Sequence, residues 1–430
     1  MRLSLRCSIW SVMLLGAAAA RGPAEAQLRG HGGLIRALAV SADGTTALSG
    51  SFDTSAIRWS LRDNLAEQVL RLHGSAVNAV AILGDGRAAT AGADALIGIW
   101  TPGKTVPDAI LKGHGGPIAA LAVSPDGESL ASASWDRTVR LWPLASGPPI
   151  VLEGHRQNVN GVAFAPDGKA LVSAGYDATV RIWQPMQPSL PFVAELPAPL
   201  NAVVTAPDGE IAAAGADGRV YFLAASGRRL DAIEALPSAI VALAISRDGT
   251  RIAAAGIDGA VALIDRKARR VLTASAGSGL PVWAVVLLPD GRTLLTGGGD
   301  RTIRRWDAQT GKPLDPPESG SEDPLAAYGD EPGARVFRAC AACHALAPDQ
   351  GIRAGPSLHG IFGRRIASLP GYDYSEALKR LDIIWTPETL AKLFEIGPAR
   401  YTPGTKMPEQ RIDSRDDRDA LVRFLEQATR

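Results

Sequence analysis

A nine-residue segment that recurs seven times constrains this chain more than any other feature. It reads SFDTSAIRW at 51–59, GADALIGIW at 92–100, SWDRTVRLW at 134–142, GYDATVRIW at 175–183, GADGRVYFL at 215–223, GIDGAVALI at 256–264 and GGDRTIRRW at 298–306. Each copy has an aspartate in third place, and Asp53, Asp94, Asp136, Asp177, Asp217, Asp258 and Asp300 follow one another at intervals of 40 to 42 residues. A fixed period of this length marks stacked supersecondary units, none of which can bury its apolar face alone. Inside one copy, VNGVAFAPDGKALVSAGYDATVRIW (159–183) gives three short alternating runs broken by PDG and GYD, a pattern of strands and turns. Segments such as AEQVLRLHG (66–74) add an outer strand and lead into the next copy, so each unit is a four-stranded blade.

Over residues 27–312 these repeats resemble WD40 β-propellers, which implies an all-β ring of seven blades. Repeats one to four carry a histidine in GH or HG (His31, His73, His114, His155), a strand Ser or Thr (Ser49, Thr90, Ser132, Ser173), the turn Asp, and a Trp (Trp59, Trp100, Trp142, Trp183). In the family these side chains form a hydrogen-bonded chain that satisfies a carboxylate otherwise costly to bury. Repeats five and six depart from the pattern, with Ala213 and Ala254 on the strand, no histidine, and Leu223 and Ile264 in place of Trp; repeat seven keeps Thr296 and Trp306 without the histidine. Because outer strands precede their own copy, residues near Gln27 to Gly30 are expected to complete the last blade. The four histidines are read as structural and not as metal ligands, since each has its own Asp at the same repeat position. Trp135 and Tyr176, just before the turn Asp, are the candidates for gripping a partner.

The N-terminal MRLSLRCSIWSVMLLGAAAARGPAEAQ places Arg2 and Arg6 before an apolar run from Ile9 to Ala20, then Ala24-Glu25-Ala26. This pattern marks residues 1–26 as a secretory signal peptide, with cleavage after Ala20 or Ala26. The run is shorter than the ~20 residues of a spanning helix, so no membrane span is expected after signal removal, and the expected location is the periplasm. Cys7 leaves with the signal, and the mature chain keeps two thiols, Cys340 and Cys343. A net charge of +1, with Lys and Arg scattered among nearly equal numbers of acidic residues, argues against a nucleic-acid role.

Residues 313–329, within KPLDPPESGSEDPLAAYG, hold four prolines with small and acidic residues and read as a linker. Extended, it would reach roughly 50 Å. Beyond it comes CAACH, Cys340 to His344. A zinc knuckle needs more thiol or imidazole ligands than the chain offers, and a thioredoxin-type redox pair needs a βαβ setting. CxxCH is the attachment motif of haem c: two thiols form thioethers and the adjacent histidine coordinates iron. One covalently attached haem c is therefore the expected cofactor.

Residues 330–430 resemble a class I cytochrome c of the mitochondrial type, which implies a small all-α domain. Gly333 and Phe337 fit a first helix that packs on the last, RDDRDALVRFLEQA, through Leu421 and Phe424. The resemblance implies that the carbonyl of Pro356, in GPSLHGIFGRR, orients His344, and that Arg364, Tyr374 and Trp385 contact the haem propionates. Met407, in YTPGTKMP, is the expected distal ligand: Met1 and Met13 leave with the signal and Met186 lies in the propeller. Thr405 is expected to steady the methionine loop, and His359 is the runner-up ligand. Leu393 or Phe394 replaces the family's usual tyrosine, and LFEIGPARY carries one extra residue.

A haem with both axial positions filled by His344 and Met407 has no open site, so the expected function is single-electron transfer between a redox donor and an acceptor, with the propeller as docking scaffold. A peroxidase would need a second haem or a vacant iron position. The competing class is a propeller oxidoreductase with its own substrate site and the cytochrome as electron outlet; the sequence offers no surplus Cys, His or carboxylate pair for it.

Overall fold

The computed structural model describes residues 28–430 apart from 188–189, 276–278, 315–324, 326–327, 339, 342, 351, 373 and 408–410. The expected signal peptide and most of the expected linker lie outside the described residues.

Seven four-stranded antiparallel sheets form the propeller. Blade 1 runs through Ile35–Val40, Thr46–Ser51, Ala56–Ser60 and Leu65–Leu70 in that order from the centre outward. First strands of successive blades pack on one another around the axis. Second strands, such as TALSGS, AATAG, LVSAG and IAAAG, are buried on both faces because each is sandwiched between neighbouring blades. Their Ala, Ser and Gly content follows from that double packing, since large side chains would hold the sheets apart. Outer strands such as Phe192–Glu195 are mostly exposed. Three amides stitch first strands of neighbouring blades together: Asn78, Asn160 and Asn201 donate to the carbonyls of Ile118, Leu200 and Ile240 at 3.2, 3.0 and 2.9 Å.

The last blade is closed by the start of the described chain, as the spacing predicts. Leu28–Arg29 pairs antiparallel with Thr302–Asp307, Leu28 opposite Ile303. The closing strand is two residues long, and Leu28 is fully buried.

In blades 1 to 4 the hydrogen-bonded chains are complete. In blade 3, Trp142 Nε1–H donates to Ser132 Oγ at 2.8 Å, His114 Nε2 lies 2.7 Å from the same oxygen, and His114 Nδ1 lies 2.7 Å from Asp136. Indole can only donate, so Ser132 accepts from it and gives its own proton to Nε2, leaving Nδ1–H to donate to the carboxylate. Burial pushes the pKa of His114 down, in keeping with that neutral ring. Burial also works against the Asp136 carboxylate, but bonds from Thr138, the Gly115 N–H and His114 outweigh it and hold its pKa at about 2. Blade 4 repeats the arrangement through Trp183, Ser173, His155 and Asp177 at 2.8, 2.8 and 3.0 Å.

Blades 5 and 7 give a more exposed turn Asp other partners. Tyr221, fully buried, donates its hydroxyl to Asp217, and Arg304 Nε donates to Asp300 at 2.7 Å. The residue after each turn Asp has positive φ: it is Gly218 and Gly259 in blades 5 and 6, but Thr54, Ala95, Arg137, Ala178 and Arg301 elsewhere. Thr54, at φ 69°, is the one β-branched residue among them, the type least suited to that region.

The C-terminal domain has five α-helices among the described residues: α1 (Pro332–Phe337), α2 (Glu376–Lys379), α3 (Pro387–Ile396), α4 (Pro398–Tyr401) and α5 (Arg415–Ala428). α1 crosses α5 at Gly333, where a Cβ would lie 2.2 Å from the Ala420 carbonyl and 2.4 Å from Phe424 Cβ, so only glycine allows the approach. Phe337 and Phe424 rings meet at 5.6 Å, with Leu421 buried beside them. Leu325 is fully buried in this core and Tyr328 packs edge-on against Phe424 at 4.9 Å. Those two residues belong to the packed domain, so the expected linker gives way to packed structure before Gly329.

Candidate functional site

Cys340, Cys343 and His344 sit in a helical turn continuing from α1: Cys340 N–H donates to the Phe337 carbonyl at 2.7 Å, and the N–H groups of Cys343 and His344 both donate to the Cys340 carbonyl at 3.0 Å. This winding puts Cys340 and His344 one turn apart on one face. Burial pushes the thiol of Cys340 up to about 11 and, aided by the negative charge of Asp53, that of Cys343 to about 12.

His344 is oriented from behind. Its Nδ1–H donates to the Pro356 carbonyl at 2.8 Å, which leaves Nε2 with its lone pair toward the cavity. Gly355 makes the close pass possible, since a Cβ there would lie 2.5 Å from His344 Cε1. Burial pushes the His344 pKa down, against the raising effect of the Pro356 bond, and so favours the neutral ring.

One cavity is lined by Cys340, Cys343, His344, Pro356, Arg364, Tyr374, Trp385, Thr405 and Met407, with apolar walls from Leu358, Ile361, Leu390, Leu393, Phe394 and Leu425. The structure thus gathers all nine sequence-derived site residues around one space. Met407 is steadied through its N–H, which donates to Thr405 Oγ1 at 3.1 Å. Arg364 donates to the carbonyls of Ser357 and His359 at 2.8 and 3.1 Å. His359 itself is exposed and does not line the cavity. Leu393 and Phe394 contribute apolar wall, and at Gly397 (φ 96°) α3 stops and α4 begins.

The donor set fits a planar, largely apolar macrocycle tethered at one edge: two thiols, one imidazole with Nε2 available, one thioether and an apolar wall. A metal held by protein side chains alone fits less well, because among the described residues no three His, Cys, Asp or Glu converge.

Sequence reasoning placed no propeller residue at this site, yet four line it. Asp53, Thr54, Ser55 and Arg71 come from the propeller, where blade 1 and the connector into blade 2 abut the helical domain. The Ala354 N–H donates to the Gly30 carbonyl at 3.0 Å, Lys406 Nζ donates to the His73 carbonyl at 3.0 Å, and Arg71 donates to the Ala354 carbonyl. The Arg71 guanidinium stacks 4.1 Å from the centre of the Tyr372 ring, whose hydroxyl donates to the same carbonyl at 2.8 Å. No local sequence pattern carries this information, since it depends on how two folded bodies meet.

Comparison with known proteins agrees with both halves. The family described as "WD domain, G-beta repeat" matches residues 22–60, 105–143, 147–184 and 267–307, and the cytochrome c family matches residues 331–429. A cytochrome c of Cochliobolus lunatus is 43% identical over 99 residues, 23% of this chain and 91% of the relative. One of Arabidopsis thaliana is 41% identical over 108 residues, 25% of this chain and 96% of the relative, and cytochrome c 2.1 of Caenorhabditis elegans is 36% identical over 107 residues, 25% and 93%. The C-terminal domain is thus an electron-transfer domain with covalently bound haem c, and the WD40 propeller is a protein-interaction platform. With relatives matched over nearly their whole length and repeats matched before them, the chain belongs to the cytochrome c family, with its cytochrome domain following a seven-bladed WD40 propeller.

Proposed function

We propose that this chain is an exported, periplasmic single-electron carrier whose haem iron has His344 and Met407 as axial ligands, and whose propeller docks the redox partners. The observation that carries the reading is one cavity shared by both thiols, by His344 with Nδ1 committed to Pro356, and by Met407. Bound in this way, haem c supplies an iron centre that takes up and releases one electron. The chain's own residues do the rest. Cys340 and Cys343 anchor, Pro356 fixes the imidazole, Thr405 holds the Met407 loop, and the Leu and Phe walls keep water out, which favours the less charged reduced state. Arg364, Tyr374 and Trp385 are assigned to the haem carboxylates. On the propeller, Trp135 and Tyr176 are about half exposed, and Phe52 and Ile257, at the same repeat position, are exposed too. These apolar points suit recognition of a donor or acceptor protein.

The test is the absorption spectrum of the oxidised holoprotein. An iron–thioether charge-transfer band is expected, with its loss in Met407→Ala and its retention in His359→Ala. A band that survives in Met407→Ala would overturn the ligand assignment.

A further inference from the structure

We propose that the propeller is a wall of the haem crevice, with Arg71 as its positioning residue, so that the haem is enclosed between two domains. This rests on the haem c assignment and adds residues from outside the cytochrome fold to its site.

Three independent contacts support it. The first is steric: a Cβ at Gly32 would lie 1.8 Å from Cys343 Sγ, so the GHG turn of blade 1 rests directly on the attachment cysteine. The second is polar: the Ala354–Gly30, Arg71–Ala354 and Lys406–His73 bonds bracket the cavity, from the segment before Pro356 to the residue before Met407. The third is the lining itself, where Arg71 and the Asp53–Ser55 turn share the space with His344 and Met407. Asp53 is held by His31, at 2.9 Å, and by the Gly32 N–H, at 2.8 Å, so blade 1 presents a rigid face and not a loose loop.

Two consequences follow for the haem. A guanidinium at the crevice mouth favours the reduced iron, which carries one positive charge fewer. A protein wall over the attachment edge excludes water there, which acts in the same direction.

The blades themselves supply a clean variant. In blade 4 the residue after the histidine is Arg156, whose N–H donates to Asp177 at 2.8 Å just as the Gly32 N–H donates to Asp53. An arginine is therefore compatible with the turn, and Gly32→Arg should push the cytochrome away from blade 1 while leaving the propeller folded. The full-length holoprotein is made as wild type, Gly32→Arg, Arg71→Ala, Arg71→Lys and Arg228→Ala; the last removes the same charge from an exposed site on blade 5. The midpoint potential is expected to fall in Arg71→Ala, to be largely restored in Arg71→Lys, and to stay at the wild-type value in Arg228→Ala. Reduction by ascorbate should be several-fold faster in Gly32→Arg, where the haem edge is uncovered. In wild type, hydrogen exchange at the Ala354 amide should be slow. A wild-type potential in Arg71→Ala together with a wild-type ascorbate rate in Gly32→Arg, with the thioether band intact, would overturn the two-domain crevice and leave the carrier reading standing; so would free exchange at Ala354. Absence of the band in wild type would instead strike the ligand assignment.

Discussion

At the scale of single residues, the propeller is held by protons placed in a fixed order. Trp142 gives to Ser132, Ser132 to His114 and His114 to Asp136. Ser132→Ala leaves an indole N–H and an imidazole nitrogen buried without a partner and is expected to cost about 1–3 kcal/mol, read from urea denaturation. The same order predicts acid sensitivity. The folded pKa values of His114 and His155 lie below the ordinary histidine value, so the unfolded chain binds protons first and stability falls as pH drops below about 6.5. Asp136 and Asp177 are also depressed, so a second loss follows as pH falls below about 4. A urea midpoint that is flat between pH 7 and 5 would contradict the first; His114→Gln with His155→Gln should flatten that window. These four chains were legible because their residues recur at a constant offset. The Tyr221–Asp217 bond was not, since a tyrosine on a buried strand reads as ordinary core, and its one signal is its place four residues after the turn Asp.

Elements show where spacing suffices and where it does not. Blade strands, the α1–α5 crossing and the CxxCH turn were readable because each depends on contacts within a short period or on a glycine that nothing else can replace. Gly333→Val should be destabilising by about 1–3 kcal/mol or more through overpacking against Ala420 and Phe424, measured as a lowered melting temperature of the holoprotein. Leu325 and Tyr328 pack into the helical domain from a Pro-, Ser- and acid-rich stretch whose composition masks one buried and one half-buried side chain. Blades 5 and 6 form despite their weak motifs, because apolar packing of Phe222, Ile240, Ile252 and Ile264 makes a core without the histidine chain.

For the whole molecule, the meeting of propeller and cytochrome is the part no sequence pattern could supply, since Arg71 and Gly32 look like ordinary repeat residues until the second domain lies against them. Ring closure, by contrast, was readable from the order of strands. Leu28→Ala removes the buried anchor of the closing strand and should cost about 2–5 kcal/mol, seen as a lowered thermal midpoint, while Leu65→Ala, at 57% exposure, should change little. The join has a further consequence during synthesis. Leu28–Arg29 is made before the seven blades and can find its place only after Thr302–Asp307 has been made, so the folding chain passes through an open arc with a raw sheet edge at each end. The newborn protein is most exposed to self-association and to proteases in that interval, just before the thiols that receive the porphyrin appear.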